Sequence, residues 1–176
     1  MAISIDDIKK LRAMTGAGLA DVKKALTEAD GDFDKAKELL RERGLAIAAK
    51  RSDRETSNGC VLVKAVDGFA AMLALKCETD FVANGADFIA LTQSILDAAI
   101  AAKAADLEAV KALDINGQTA QEAVTQRSGI TGEKMELDGY LTLEGDNIEV
   151  YDHMGKHTLC TMVRPVLRWW HSAGFP

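Results

Sequence analysis

Residues 60–85 read CVLVKAVDGFAAMLALKCETDFVANG, and their pattern decides the fold. Two apolar runs flank Asp67-Gly68, the signal of a tight two-residue antiparallel hairpin. The second run enters ETDFVANG, residues 78–85, and a helical pattern over 86–104 follows with Phe88, Leu91, Ile95 and Ala99 along one side. Asn84 and Asp87 offer that helix a capping box. A strand feeding a helix through a short polar turn is ordinary, but an aromatic ring beside a carboxylate in that turn is not. Phe81 and Val82 can fold inward and anchor the helix start, the usual fate of apolar side chains. They can equally project from a loop tip on a rigid scaffold, where binding residues concentrate. The pattern alone leaves both open.

Upstream, three short helices fit residues 4–43. Ser4 with Asp7 forms a capping box, and Ile5, Ile8 and Leu11 share a helix face. TGAG, residues 15–18, ends that helix and starts the next, whose apolar stripe is Leu19, Val22 and Leu26. Asp32 caps a third helix carrying Phe33, Ala36, Leu39 and Leu40, with Gly44 suited to the position just past its end. Residues 45–59 then read as a connection, helical at first and polar by Ser52. Its basic residues Lys50, Arg51 and Arg54 read as a solvated linker rather than a docking patch.

Downstream, DLEAVKAL and QTAQEAVTQRSG read as two helical pieces. MELDGYLTLEGDNIEVYDHMGKHTLCTMV returns to strand-like alternation, with turns at Gly145-Asp146-Asn147 and around Gly155. The fold class is therefore α+β: a three-helix bundle over 1–44, a linker over 45–59, and a core with an antiparallel sheet and packed helices. That core divides into 60–147 and the start of a second subdomain over 148–176.

Composition excludes several classes. At 48% hydrophobic and 27% charged, the 176-residue chain is globular in character. Residues 1–54 hold 12 Lys+Arg against 10 Asp+Glu, and the rest 9 against 17, so the body is acidic and unsuited to nucleic acid. No apolar run approaches the ~20 residues of a membrane span, and the start lacks a signal-peptide layout. Cys60, Cys77 and Cys160 are odd in number with no CxxC spacing, which points to buried strand cysteines in a reducing cytoplasm.

Candidate chemistry is sparse. TGAG follows a helix rather than a strand, so it reads as an interhelical turn and not as a phosphate loop. His153 and His157 stand four apart, but Gly155 places them around a turn and Met154 fills the position of the glutamate that a helical zinc motif needs. The residues supply no catalytic apparatus, metal site or cofactor motif. Binding is the better reading.

Three stretches carry a resemblance to one family. The opening helix with TGAG and DVKKAL resembles the N-terminal ubiquitin-associated-like module of translation elongation factor Ts. LKCETDFVA resembles that family's strand-then-TDFV signature. TGEKMELDGYLTLEGDNIEVYDHMGKHTLCTMV resembles its later core strands, with His153 in the place of a histidine that lies between a tyrosine and an apolar strand. The matches span residues 1 to about 164. The resemblance implies a cytoplasmic guanine-nucleotide exchange factor that binds elongation factor Tu in its GDP-bound and nucleotide-free states, without covalent chemistry or a cofactor of its own. It implies that Phe81 wedges between helices of the GTPase, that Asp80 disturbs the GTPase's Mg²⁺ region, and that Thr79 and Val82 shape the turn. It further implies partner contacts at Arg12, Leu19, Ala20 and Lys23, and at His153. Two methionines often follow TGAG in the family, where Leu19-Ala20 stand here, so that contact is expected to be weaker. LRWWHSAGFP, residues 167–176, resembles nothing in the family, which suggests a truncated or divergent end with Trp169-Trp170 covering an apolar patch. Taken alone, the first 43 residues suit another class, a ubiquitin-associated-like adaptor or ribosome-linked chaperone, but that reading leaves TDFV unaccounted for.

Overall fold

Asp67 and Gly68 both adopt positive φ, +47° and +76°, the pairing that lets a two-residue loop follow the right-handed twist of its strands. They join β1 (Asn58–Val66) to β2 (Phe69–Cys77) with Val66 opposite Phe69. A third antiparallel strand, β3 (Met135–Glu144), pairs with the other edge of β2. Its register slips where Ala74 faces Gly139 but Leu75 faces Leu137, leaving Asp138 as the extra residue of a bulge. The structure is a computed structural model and describes residues 3–164; the Trp169-Trp170 reading lies outside them.

One face of this sheet carries Cys60, Leu62, Leu73, Leu75 and Cys77 into the main core. Against it lie α5 (Ala86–Ala102), α6 (Leu107–Ala112) and α7 (Ala120–Thr131), with Phe88, Ile95, Leu96 and Ala99 of α5 buried there. Burying Phe88, Ile95 and Leu96 contributes ~1.5–3 kcal/mol each. A two-stranded ribbon, β4 (Glu149–Asp152) and β5 (Cys160–Val163), is pinned to β1 by the Val61 amide donating to the His157 carbonyl at 2.7 Å. The three cysteines are free and buried, and burial pushes each thiol up to about 11.

The bundle comprises α1 (Ile5–Thr15), α2 (Leu19–Glu28) and α3 (Phe33–Ala49) around Leu11, Val22, Ala25, Leu26 and Ala36. Ser4 and Asp7 form the reciprocal capping box, and Asp32 accepts from the Asp34 and Lys35 amides. Gly16 closes α1 in the left-handed region, where a side chain would be strained.

Four sequence expectations need correction. Gly44 does not end α3; it lies inside the helix, five residues before Ala49, where α3 crosses α7 at Gly129. Its smallness serves close helix packing, not a left-handed terminus. Asn84 and Asp87 form no capping box, because residues 80–83 make a helical turn of their own. Gly85 becomes the N-cap of α5, and Asn84 Nδ2 turns back to the Asp80 carbonyl at 2.8 Å. Ile5 is 71% exposed and Leu19 57%, so each lies off its stripe while Leu11, Val22 and Leu26 fill the bundle. Both stand in the first turn of their helices, beyond the reach of the small core. Arg51 and Arg54 are not a free solvated run: Arg54 pairs with Glu78 and the Arg51 guanidinium lies against Gly132.

Candidate functional site

The turn after β2 is built from hydrogen bonds before any partner is considered. Thr79 is extended, and its hydroxyl accepts the Val82 amide to start the short helix α4 (Asp80–Ala83). Glu133, just past the left-handed cap Gly132 of α7, grips the same residue twice. The Thr79 amide donates to Oε2 at 3.1 Å and the Thr79 hydroxyl to Oε1 at 2.6 Å. One residue earlier, Glu78 accepts the Lys134 amide at 2.6 Å and Arg54 Nη1 at 3.1 Å. Asn58 Nδ2 holds the Glu78 carbonyl, and the Cys77 thiol donates to the Thr79 carbonyl at 3.2 Å.

With one shoulder clamped and Ala83 buried at the other, the middle of the turn has a fixed direction. Val82 packs partly on the core, Asp80 is exposed, and Phe81 is 87% exposed. The two placements that the pattern left open are divided between the pair: Phe81 projects outward and Val82 leans on the core. Beside the ring lies an open hollow of about 560 Å³ lined by Asp80, Phe81, Val82, Asn84, Arg127 and Thr131. A large apolar ring left in water at the tip of a rigid turn, next to a carboxylate and a hollow, is suited to inserting into a partner.

The other predicted positions fall elsewhere. Arg12, Leu19, Ala20 and Lys23 are all exposed on the outside of the bundle, and Ala20 and Lys23 border a shallow depression with Thr27. None of the four lines the Phe81 hollow. The bundle approaches the turn through α7, whose Ile130 and Arg127 lie against Gly16. His153 is exposed on the ribbon, with the Tyr151 hydroxyl 2.9 Å from its Nδ1. Further along the same loop, His157 and Thr158 line a second depression of about 350 Å³ together with Asp80 and Asn84. Among the described residues, no three His, Cys, Asp or Glu side chains are grouped to hold a metal, and no helix is long and apolar enough to cross a membrane.

Sequence reasoning missed Glu78, Glu133 and Arg54 as the clamp. The available signal was TGEK following a helix, which places an acid just beyond a glycine cap. Replacing Thr79 with valine removes the cap and the hydroxyl bond to Glu133 Oε1, leaving only the backbone amide's bond to Oε2. It should destabilise the turn by about 1–2 kcal/mol, read as faster hydrogen exchange at the Val82, Ala83 and Asn84 amides.

The Glu78 carboxyl is held below its ordinary 4.5, first by the Lys134 amide and then by Arg54. A depressed carboxylate contributes stability that is complete above that ordinary value and lost as pH falls through the lower, folded-state one. The gap in urea midpoint between wild type and Glu78→Gln should therefore be full at neutral pH and narrow progressively as pH falls below the ordinary 4.5.

The family described as "Elongation factor TS" matches residues 78–165, which begin at the clamp itself. The chain is similar to elongation factor Ts of Bacteroides fragilis, 63% identical over 163 residues, covering 93% of this chain and 49% of the relative. It is 64% identical over 162 residues to elongation factor Ts of Parabacteroides distasonis, covering 92% and 49%. For elongation factor Ts of Porphyromonas gingivalis the identity is 53% over 156 residues, covering 88% and 57%. The chain thus spans about half the length of the curated relatives it matches.

Proposed function

Because this chain belongs to the elongation factor Ts family, we propose that it acts as a guanine-nucleotide exchange factor for elongation factor Tu, working in the cytoplasm by binding rather than by covalent catalysis. The observation that carries this reading is Phe81, 87% exposed on a turn whose shoulder is clamped by Glu133 and Glu78. An exposed ring on a mobile loop would lose much of its binding energy in being ordered; a pre-set turn avoids that cost.

The physical requirement on an exchange factor is differential affinity. It shifts the nucleotide equilibrium only if it binds the empty GTPase better than the GDP-loaded one. In this reading Phe81 wedges between helices of the GTPase, and Asp80 disturbs the oxygen ligands that hold Mg²⁺ against the phosphates. With the metal loosened, phosphate charge is less neutralised and GDP leaves faster. Thr79 and Val82 mount the turn. Arg12, Leu19, Ala20 and Lys23 supply a second contact from the bundle, and His153 supplies a third from the ribbon.

Calorimetric titration tests the premise. The chain should bind nucleotide-free elongation factor Tu at least ~10-fold more tightly than the GDP-loaded form, and added GDP should reverse binding. Equal affinity for the two states would contradict exchange activity. Capture of ubiquitin or nascent chains with no binding to the GTPase would instead favour the adaptor class.

A further inference from the structure

The two surfaces that the proposed function uses, the TDFV turn and the outer face of the bundle, line no common hollow; α7 stands between them. One α7 side chain reaches toward both. Arg127 Nη2 donates at 2.8 Å to Oδ2 of Asp87, in the first turn of α5 directly after the TDFV turn. On its other side Nη1 lies against the α1–α2 turn, 3.8 Å from where a Cβ on Gly16 would stand. The same guanidinium lines the hollow beside Phe81, and its Nε is buried with no hydrogen-bond partner.

This arrangement is a poor stability device. An orphaned buried donor is unfavourable, and Asp87, 76% exposed, returns little as an ion-pair partner. A planar guanidinium with its ends set against two elements is instead suited to fixing their separation. We propose that Arg127 is a positioning residue, a strut that holds the α1–α2 turn at a set distance from the TDFV turn so that both meet the GTPase together. The proposal rests on the exchange-factor reading. When the two contacts are rigidly spaced, the second forms at high effective concentration once the first is made. Loosening the strut weakens the encounter but leaves the docked Phe81 turn to act as before.

Two measurements on the full chain test this. Spin labels at Thr27→Cys and Glu108→Cys, both exposed sites, report the spacing of bundle and core; the native cysteines are buried, with thiols near 11, and stay unlabelled at neutral pH. The distance distribution should broaden in Arg127→Ala and also in Asp87→Asn. In a titration of labelled-GDP release, Asp87→Ala, which removes the strut's anchor without touching the lining of the Phe81 hollow, should raise the half-saturating concentration by about 10-fold and keep the plateau rate within about 2-fold. An unchanged distribution, an unchanged half-saturating concentration, or a lowered plateau each overturns the strut. If the wild-type chain releases no GDP, the exchange reading fails, and the label distances alone decide whether Arg127 positions the bundle.

Discussion

Phe81→Ala is expected to lower the chain's efficiency in promoting GDP release by about 30-fold or more, while its thermal midpoint stays within about 2 °C of wild type. The two halves of that expectation follow from one number. Phe81 is 87% exposed, so it contributes almost nothing to the core, and truncating exposed side chains usually changes stability by less than ~0.5 kcal/mol. At an interface the same ring is a large, stiff apolar body presented by a fixed backbone, the profile of a hot spot whose loss costs ~2 kcal/mol or more. A neighbouring core ring behaves in the opposite way. Phe88 is 1% exposed, and Phe88→Ala should cost about 3–5 kcal/mol through cavity formation. Paired measurements of stability and release on the Phe81 variant separate a docking ring from a packing one.

Gly129→Ala should destabilise the chain by about 2 kcal/mol and lower its thermal midpoint by about 4–8 °C, whereas Gly44→Ala should leave stability unchanged or raise it by up to ~1 kcal/mol. Both glycines sit in helices, where alanine is intrinsically better by ~1 kcal/mol, so helix propensity predicts two stabilising changes. Packing separates them. A Cβ at Gly129 would overlap the backbone of Gly44, which no rotamer change can relieve. A Cβ at Gly44 would stand 3.8 Å from Gly129 Cα and 4.0 Å from Gln126, ordinary contact distances. The overlap forces α3 away from α7 and opens the seam between bundle and core, at the upper end of the ~1–3 kcal/mol typical of overpacking. Differential scanning calorimetry on the two variants reads this asymmetry. Equal effects would mean that the crossing is not the constraint on either glycine.

Much of the fold is legible in the sequence because its signals are local. Asp67-Gly68 dictates a hairpin with no help from the rest of the chain, and the Ser4 and Asp32 caps mark helix starts within four residues of themselves. What could not be read locally depends on distant partners. Gly44 looks like a terminus until α7 is laid across it, some 85 residues later. Asn84 and Asp87 look like a capping pair until residues 80–83 coil and redirect Asn84, and Arg127 takes Asp87. The site shows the same division. Phe81 is conspicuous as an apolar ring in a polar turn, but its clamp is made by Glu133, 54 residues from Thr79, and by Lys134, 56 residues from Glu78. Nothing in ETDFVANG announces those contacts.

The rate of labelled-GDP release from elongation factor Tu tests most directly whether the clamped turn accelerates nucleotide exchange. With the full chain present, release should accelerate with concentration and saturate, and the Asp80→Ala/Phe81→Ala double variant should lose that acceleration. Release at the intrinsic rate in saturating wild-type chain, or full acceleration by the double variant, would contradict that role of the turn.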